Sequence, residues 1–209
     1  MAEPTREQER QERRARIDAR AQRDAGRDQR HQRQAILRVA VPIGIGALIL
    51  AAILLFAVKE AVAPLPGDAM LNEGATHVEV GTPINYNDYP PTSGIHYPNW
   101  APWRYSDAEI PPGNWVHNLE HGGIVILYKC PANCNQLKQQ LRDLAASLPK
   151  ARATPGPKIV VAPDDRIEST LVALAWTRRL KLEQFDEGQL RSFYQRLVES
   201  ATAPEPNAQ

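Results

Sequence analysis

Cysteine, methionine and phenylalanine are scarce in this chain of 209 residues, which has two Cys, two Met and three Phe. Two cysteines exclude a disulfide-dense miniprotein, because such small folds depend on several bridges. Neither sign of charge is in excess, since the formal net charge is +1. The chain also lacks a sustained heptad pattern and a glycine-rich phosphate loop. We therefore expect neither a coiled-coil rod nor a nucleotide-binding loop.

The averages hide three unlike segments. Residues 1–35 have almost no large apolar side chain, residues 36–58 have no charge except Arg38, and residues 59–209 have the composition of one globular domain. Residues 1–38 carry 11 Arg against 7 acidic residues, whereas residues 59–209 carry 14 basic against 17 acidic residues. The large segment is therefore slightly acidic, which argues against nucleic acid as a partner. Its length supports a single hydrophobic core and excludes a multidomain enzyme.

An apolar run from Ile36 to Val58 predicts a transmembrane helix, since about 20 apolar residues cross roughly 30 Å of hydrocarbon. A cleaved signal peptide is less favoured, because its apolar region is shorter and lies nearer the N-terminus. Eleven arginines precede the run and only Lys59 follows it closely, which predicts a cytoplasmic N-terminus. We expect a single-pass protein of the inner membrane, whose arm 1–35 is a solvated helix or disordered chain near lipid headgroups.

The predicted extracytoplasmic domain, residues 59–202, begins with a proline-rich stretch. Nine of the 18 prolines lie within residues 61–115, together with most of the Trp and Tyr residues. Prolines favour turns and short extended pieces over helices. Long ordered loops of this kind usually line a site. The aromatic residues would either form a small core of the loop itself or contact a partner protein.

The rest of the domain predicts an α+β fold with a β-α-β-β-α order. Strands are expected at Ile124–Tyr128, at Lys158–Ala162 and over Leu171–Leu182, and helices at Asn133–Leu148 and Asp186–Ser200. This order implies a right-handed crossover between the first two strands, followed by a hairpin to the third, in a small mixed sheet. This order of elements is consistent with part of a thioredoxin-like or ferredoxin-like fold. The composition of residues 203–209 predicts a disordered tail.

Four histidines fall within 45 residues of this domain: His77, His96, His117 and His121. His117 and His121 form an H-x3-H pair, which converges on one metal ion if the segment is helical or tightly turned. His96 and His77 could complete a set of imidazoles around Zn²⁺ or Cu²⁺. Glu120 could orient one imidazole or supply an additional oxygen ligand. The alternative is a group of hydrogen-bonded structural histidines.

The segment His117–His121 also matches H-x-x-E-H, an inverted zinc-peptidase motif in which the glutamate activates a metal-bound water. That motif needs a sustained helix. Here Pro111 and Pro112 stand just before it and Gly122 just after it, which leaves at most about two turns. A hydrolase is therefore the least favoured interpretation.

Cys130 and Cys134 lie between a predicted strand and a predicted helix. In an oxidising compartment this pair favours a structural disulfide. A redox-active pair at a helix N-terminus and soft-metal binding by thiolates remain alternatives.

Two long motifs, Tyr89–Tyr97 and Val116–Gly123, resemble those of the bacterial family catalogued as domain of unknown function 3105. The resemblance covers residues 68–130 approximately. It implies one N-terminal membrane span, an extracytoplasmic domain and a grouping of the four histidines, and it adds no reaction.

Three functional hypotheses follow from the sequence. The first is a membrane-anchored extracytoplasmic domain that binds copper or zinc through histidines. The second is a noncatalytic module that binds another envelope protein. The third is a zinc hydrolase built on H-x-x-E-H.

Overall fold

The computed structural model describes residues 23, 38, 41–56, 58, 64–130 and 133–208. The chain divides into two compact units, Met1–Ala63 and Pro64–Gln209. In the first unit, residues 41–56 and 58 are helical and exposed. Within the described part of the chain, no helix has the length and apolar character that crossing a bilayer requires. The anchor over 36–58 stays a prediction, and the arm 1–35 lies outside the described residues apart from Arg23.

The second unit is an α+β domain built on one five-stranded mixed sheet, with the strand order β1-β5-β4-β2-β3. Strands β2 and β3 are parallel, and the other neighbouring pairs are antiparallel. Its elements in chain order are β1 (Asp68–Ala69), α1 (Pro112–Glu120), β2 (Ile124–Tyr128), α2 (Asn135–Ser147), β3 (Ile159–Pro163), β4 (Leu171–Ala175), β5 (Arg178–Leu182) and α3 (Glu187–Leu197).

The β-α-β-β-α order is present, but the expected pairing of the third strand is wrong. Strand β4 pairs with β2, with Val125 opposite Leu174, and does not continue from β3 as a hairpin. Residues 164–170 form a connection longer than a tight hairpin turn, so the chain can pass β2 before it returns. Strand β2 is fully buried along its length. The central position gives backbone partners to both edges of β2, while the layers above and below the sheet cover its apolar side chains.

The extended stretch expected over 171–182 is two strands that form a hairpin. Strands β4 and β5 pair with Ala175 opposite Arg178, which leaves Trp176 and Thr177 as the turn. Thr177 has a φ of 56°, whereas Trp176 is not among the residues with positive φ. This is the pattern of a type II turn, which favours Gly or Asn at the second central position. The sequence has no Gly or Asn at this position, so it does not predict a turn between the two strands.

The two faces of the sheet carry different layers. Since side chains alternate along a strand, Ile124, Ile126 and Tyr128 pack on one face with residues of α2 and α3. Val125 and Leu127 point to the other face, where they pack with residues of α1 and of the proline-rich segment. The proline-rich segment and α1 therefore form a layer of their own, and this layer contains all four histidines of the domain.

The C-terminal segment 203–208 packs against the domain and is not the disordered tail that its composition predicts. Ala203 is buried. The carbonyl oxygens of Pro206 and Ala208 accept hydrogen bonds from the ammonium group of Lys158. The composition of the segment could not predict this packing, because the hydrogen-bond donor is a buried lysine far away in the sequence.

Candidate metal centre

Helix α1 presents His117 and His121 side by side at its C-terminal end. The helix begins at Pro112, where a proline needs no backbone partner. It ends at Glu120, and His121 is its C-cap. Gly122 follows with a φ of 72°, and an added Cβ there would lie 2.9 Å from the Cα of Glu199. The Nε2 atoms of His117 and His121 are 3.0 Å apart, but the two residues belong to different groups of possible metal ligands.

The other two histidines reach the same place from two extended segments. His77 and His96 face each other in an isolated parallel bridge. The amide of His96 donates to the carbonyl of Thr76 at 3.0 Å, and the amide of Val78 donates to the carbonyl of His96 at 2.9 Å. The ring centroids of His77 and His96 are 4.5 Å apart, and both rings lie within 5.1 Å of the His117 ring.

Main-chain carbonyls fix the tautomers of the two most buried rings. Nδ1 of His96 lies 2.8 Å from the carbonyl oxygen of Gly94, and Nδ1 of His117 lies 2.7 Å from that of Tyr97. A carbonyl oxygen can only accept, so each Nδ1 carries a proton. In a neutral ring, Nε2 then carries a lone pair. Burial lowers the pKa of His117 and disfavours its imidazolium form.

The carboxylate of Glu120 lies among these lone pairs. Its Oε2 atom is 3.0 Å from Nε2 of His96, 3.4 Å from Nε2 of His77 and 4.0 Å from Nε2 of His117. Glu120 is only 3% exposed. These four side chains form a group whose possible ligand atoms all lie within 4.8 Å of one another. The structure thus places the Glu120 carboxylate beside the imidazole nitrogens, where it could either bind an ion or orient an imidazole.

The proline-rich segment is fixed to α1 on either side of this group. The side chain of Asn118 accepts from the amide of Ala101 and donates to its carbonyl, both at 2.8 Å. The amide of Tyr97 donates to the carbonyl of Gly113 at 2.8 Å. An added Cβ at Gly113 would lie 2.5 Å from the Tyr97 ring. The carbonyl that orients His117 is therefore held in place by packing and by hydrogen bonds.

Residues 77–209 match the family model described as "Protein of unknown function (DUF3105)". The chain belongs to this family. The match confirms the resemblance seen in residues 68–130 and extends it to the C-terminal part of the chain. No curated protein and no solved structure matches the chain.

The C-terminal segment of the DUF3105 domain adds a residue to this region that the sequence analysis missed. Oε2 of Glu205 lies 3.6 Å from Nε2 of His121. Glu120, His121 and Glu205 form a second group of possible ligands within the same 4.8 Å limit. The only signal that could have pointed to Glu205 is its inclusion in the family match, because composition assigned it to a tail.

An apolar cavity of about 400 Å³ adjoins Trp100. Trp103 and residues 153–157 line the rest of it. The Trp100 ring lies 5.6 Å from the His117 ring and 5.4 Å from the His121 ring, measured between centroids. Trp100 is 47% exposed. It therefore separates the histidines from solvent on one side and offers an aromatic surface next to them.

The two remaining motifs are also placed by the structure. Cys130 and Cys134 lie at disulfide distance, with their Cα atoms 5.7 Å apart. The H-x-x-E-H residues lie at the end of a nine-residue helix, in agreement with the short helix expected from the flanking Pro and Gly. Because the Glu120 carboxylate is in the ligand group itself, its position does not favour the water-activating role that the peptidase motif requires.

Proposed function

We propose that the DUF3105 domain binds a transition-metal ion, zinc or copper, through His77, His96, His117 and Glu120. The observation that carries this proposal is the orientation of His96 and His117. Nε2 of His96 lies 3.0 Å from the Glu120 carboxylate, and Nε2 of His117 lies 4.0 Å from it and 3.0 Å from Nε2 of His121. In both rings Nδ1 carries the proton, because it contacts a main-chain carbonyl. Buried lone pairs that face one another repel unless a cation or a proton lies between them.

The spacing of the donors supports a metal ion. For zinc, bonds of about 2.0–2.2 Å to nitrogen and oxygen place neighbouring ligand atoms about 3–4 Å apart. The distances from Glu120 Oε2 to the three Nε2 atoms span 3.0–4.0 Å. The carbonyl oxygens that accept from Nδ1 of His96 and His117 are the outer partners that metal-bound imidazoles usually have.

The chemistry of the donors narrows the choice of metal. Three imidazoles and one carboxylate suit zinc or copper(II), and the set contains no thiolate or thioether that would select copper(I). The His77 side chain is 47% exposed, whereas His96 is fully buried. One side of the site is thus open, so that water, a small ligand or a metal donor could reach the ion. Metal binding, transfer and sensing all require such an open side.

We further propose that this domain is tethered outside the cytoplasm by the apolar segment 36–58. The support is the apolar run, its flanking arginine excess and the exposed apolar side chains of the helical residues 41–56. In this arrangement the partners are the lipid bilayer and, through the exposed Trp100 surface, another envelope protein. The orientation is tested by labelling single cysteines added at the two ends of the chain in intact cells.

Metal content tests the proposal directly. The protein is purified without a polyhistidine tag and its metals are quantified by mass spectrometry, before and after replacement of His96 or His117 by Ala. We expect stoichiometric zinc or copper in the wild type and a large loss in both variants. X-ray absorption of the loaded protein should show imidazole scattering from three rings.

His31→Ala is the matched control, because His31 is the fifth histidine and belongs to the arginine-rich arm. This variant should keep the full metal content. If the wild type takes up no zinc or copper from a buffered solution while its unfolding curve shows a folded domain, the metal proposal is wrong. The histidines are then a structural hydrogen-bonded group, and the interaction module becomes the better hypothesis.

A further inference from the structure

The donors around helix α1 fall into two groups that share one residue. The first is the group of His77, His96, His117 and Glu120, and the second is Glu120, His121 and Glu205. Nε2 of His121 lies 3.0 Å from Nε2 of His117 and 3.6 Å from the Glu205 carboxylate. A carboxylate has two oxygen atoms and can accept from two directions. Glu120 can therefore serve both groups.

The segment that brings Glu205 to this place is held by several specific contacts. The amide of Glu205 donates to the main-chain carbonyl of Glu120 at 3.0 Å. The Lys158 ammonium donates to the carbonyl of His121 at 2.8 Å and also to the carbonyls of Pro206 and Ala208. One buried cation thus joins the end of α1 to the C-terminal segment. This anchoring fixes the backbone on both sides of Glu205, although its side chain is 58% exposed.

The electrostatics of the second group favour a cation. Two carboxylates lie at the C-terminal end of α1, which is the negative end of the helix dipole. The Lys158 ammonium is nearby, but it lies 3.5 Å from the Glu199 carboxylate, which the Arg152 side chain also contacts at 3.2 Å. Glu199 in turn accepts from the amides of Arg152 and Ala153. Lys158 thus directs its charge at Glu199 and at main-chain carbonyls, and among the described residues it forms no ion pair with Glu120 or Glu205.

We infer that the domain holds a second divalent cation on Glu120, His121 and Glu205, next to the first ion and with Glu120 as the shared ligand. This inference rests on the proposed function, because it takes the first site as present. One imidazole and two carboxylates form an oxygen-rich set, which suits zinc or manganese. Pairs of ions held in this way lie about 3.5–4 Å apart in two-metal sites. The exposed side of Glu205 leaves the second ion open to solvent.

The experiment compares the metal stoichiometry of the full chain with that of Glu205→Gln. The probe is Zn²⁺ alone, titrated into metal-free protein against a chromophoric chelator. A parallel titration adds Mn²⁺ to protein that already holds one equivalent of Cu²⁺, and it is followed by electron paramagnetic resonance, which detects spin coupling between the two neighbouring ions. Glu183→Gln is the matched control, because Glu183 is an exposed glutamate outside both groups.

We expect two ions per wild-type chain and per Glu183→Gln chain, and one ion per Glu205→Gln chain. The coupled manganese spectrum should disappear in Glu205→Gln only. One ion in both the wild type and Glu205→Gln would overturn the second site and leave the first intact. Two ions in Glu205→Gln would also overturn it. No ion in folded wild-type protein would instead refute the proposed function itself.

Discussion

Replacing Lys158 by Met should destabilise the domain strongly, because the Lys158 side chain is fully buried and its ammonium is saturated with partners. It donates to the carbonyls of His121, Pro206 and Ala208, and it lies 3.5 Å from the Glu199 carboxylate. Three hydrogen bonds to a charged group are worth about 5–9 kcal/mol together if none is replaced. The carbonyls of Pro206 and Ala208 can regain water when their segment detaches, which lowers the cost. The Glu199 carboxylate keeps the Arg152 side chain at 3.2 Å, so the lost hydrogen bonds of Lys158 set the cost, and we expect a loss of about 3–5 kcal/mol.

Urea denaturation of the metal-free full chain measures this loss, with the fluorescence of the buried Trp115 and Trp176 as the signal. Metal-free protein is used so that a change in metal affinity does not contribute. A loss of about 3–5 kcal/mol corresponds to a fall in melting temperature of roughly 6–20 °C for a domain of this size. Lys150→Met is the control, because Lys150 is exposed and should change stability by less than about 0.5 kcal/mol.

A loss below about 1 kcal/mol in Lys158→Met would refute this reasoning. It would mean that the ammonium and its partners gain no more from one another than they gain from water. Hydrogen exchange gives a second check. Amides of residues 203–208 should exchange faster in Lys158→Met, while those of β2 and β4 stay protected relative to the lower global stability.

Two further predictions concern packing and pH. Gly123→Ala should lower the free energy of unfolding by at least about 1–3 kcal/mol in a denaturation experiment, because its Cβ would lie 2.3 Å from the Trp103 ring. The control Gly156→Ala should be nearly neutral, because its Cβ would meet nothing within 4 Å. Equal effects of the two substitutions would contradict the packing argument. Burial alone would raise the pKa of Asp164, but hydrogen bonds, chiefly from Arg166, outweigh it and the pKa is lowered. The folded-state pKa is thus below the unfolded one, so this stabilisation is present above the unfolded pKa and is lost as the pH falls through the folded value. Asp164→Asn should flatten the acid limb of a stability–pH curve, and an unchanged limb would exclude Asp164 as its source.

Local patterns predicted the regular half of the fold well. The strand Ile124–Tyr128 has the predicted bounds, and helix α2 lies within the helix expected over 133–148. These elements are specified by side chains close together in the sequence, such as the apolar stripe that includes Leu141 and Leu144. The pairing of β4 with β2 could not be obtained in this way. It depends on which strand gains most from two neighbours, which is a property of the assembled sheet.

The candidate site shows the same division between local and tertiary information. The H-x3-H spacing predicted that His117 and His121 converge, and their Nε2 atoms are 3.0 Å apart, although the two residues belong to different groups of possible metal ligands. The clustering of histidines in one window drew attention to His77 and His96, but only the folded chain shows that Glu120 lies among their nitrogens. Beyond its inclusion in the family match, Glu205 has no signal in the sequence, because its position depends on the buried amine of Lys158.

The imidazoles of His77, His96 and His117 belong to three stretches of chain, and the cysteine pair Cys130 and Cys134 crosslinks none of them. An ion shared by them would act as a removable crosslink, which restricts two successive loops of the irregular layer. Chelation should then loosen this layer selectively, while the strands and the helices α2 and α3 on the opposite face hold their shape. In such a domain, the availability of metal would control how well ordered one surface is, and a neighbouring protein could recognise that difference.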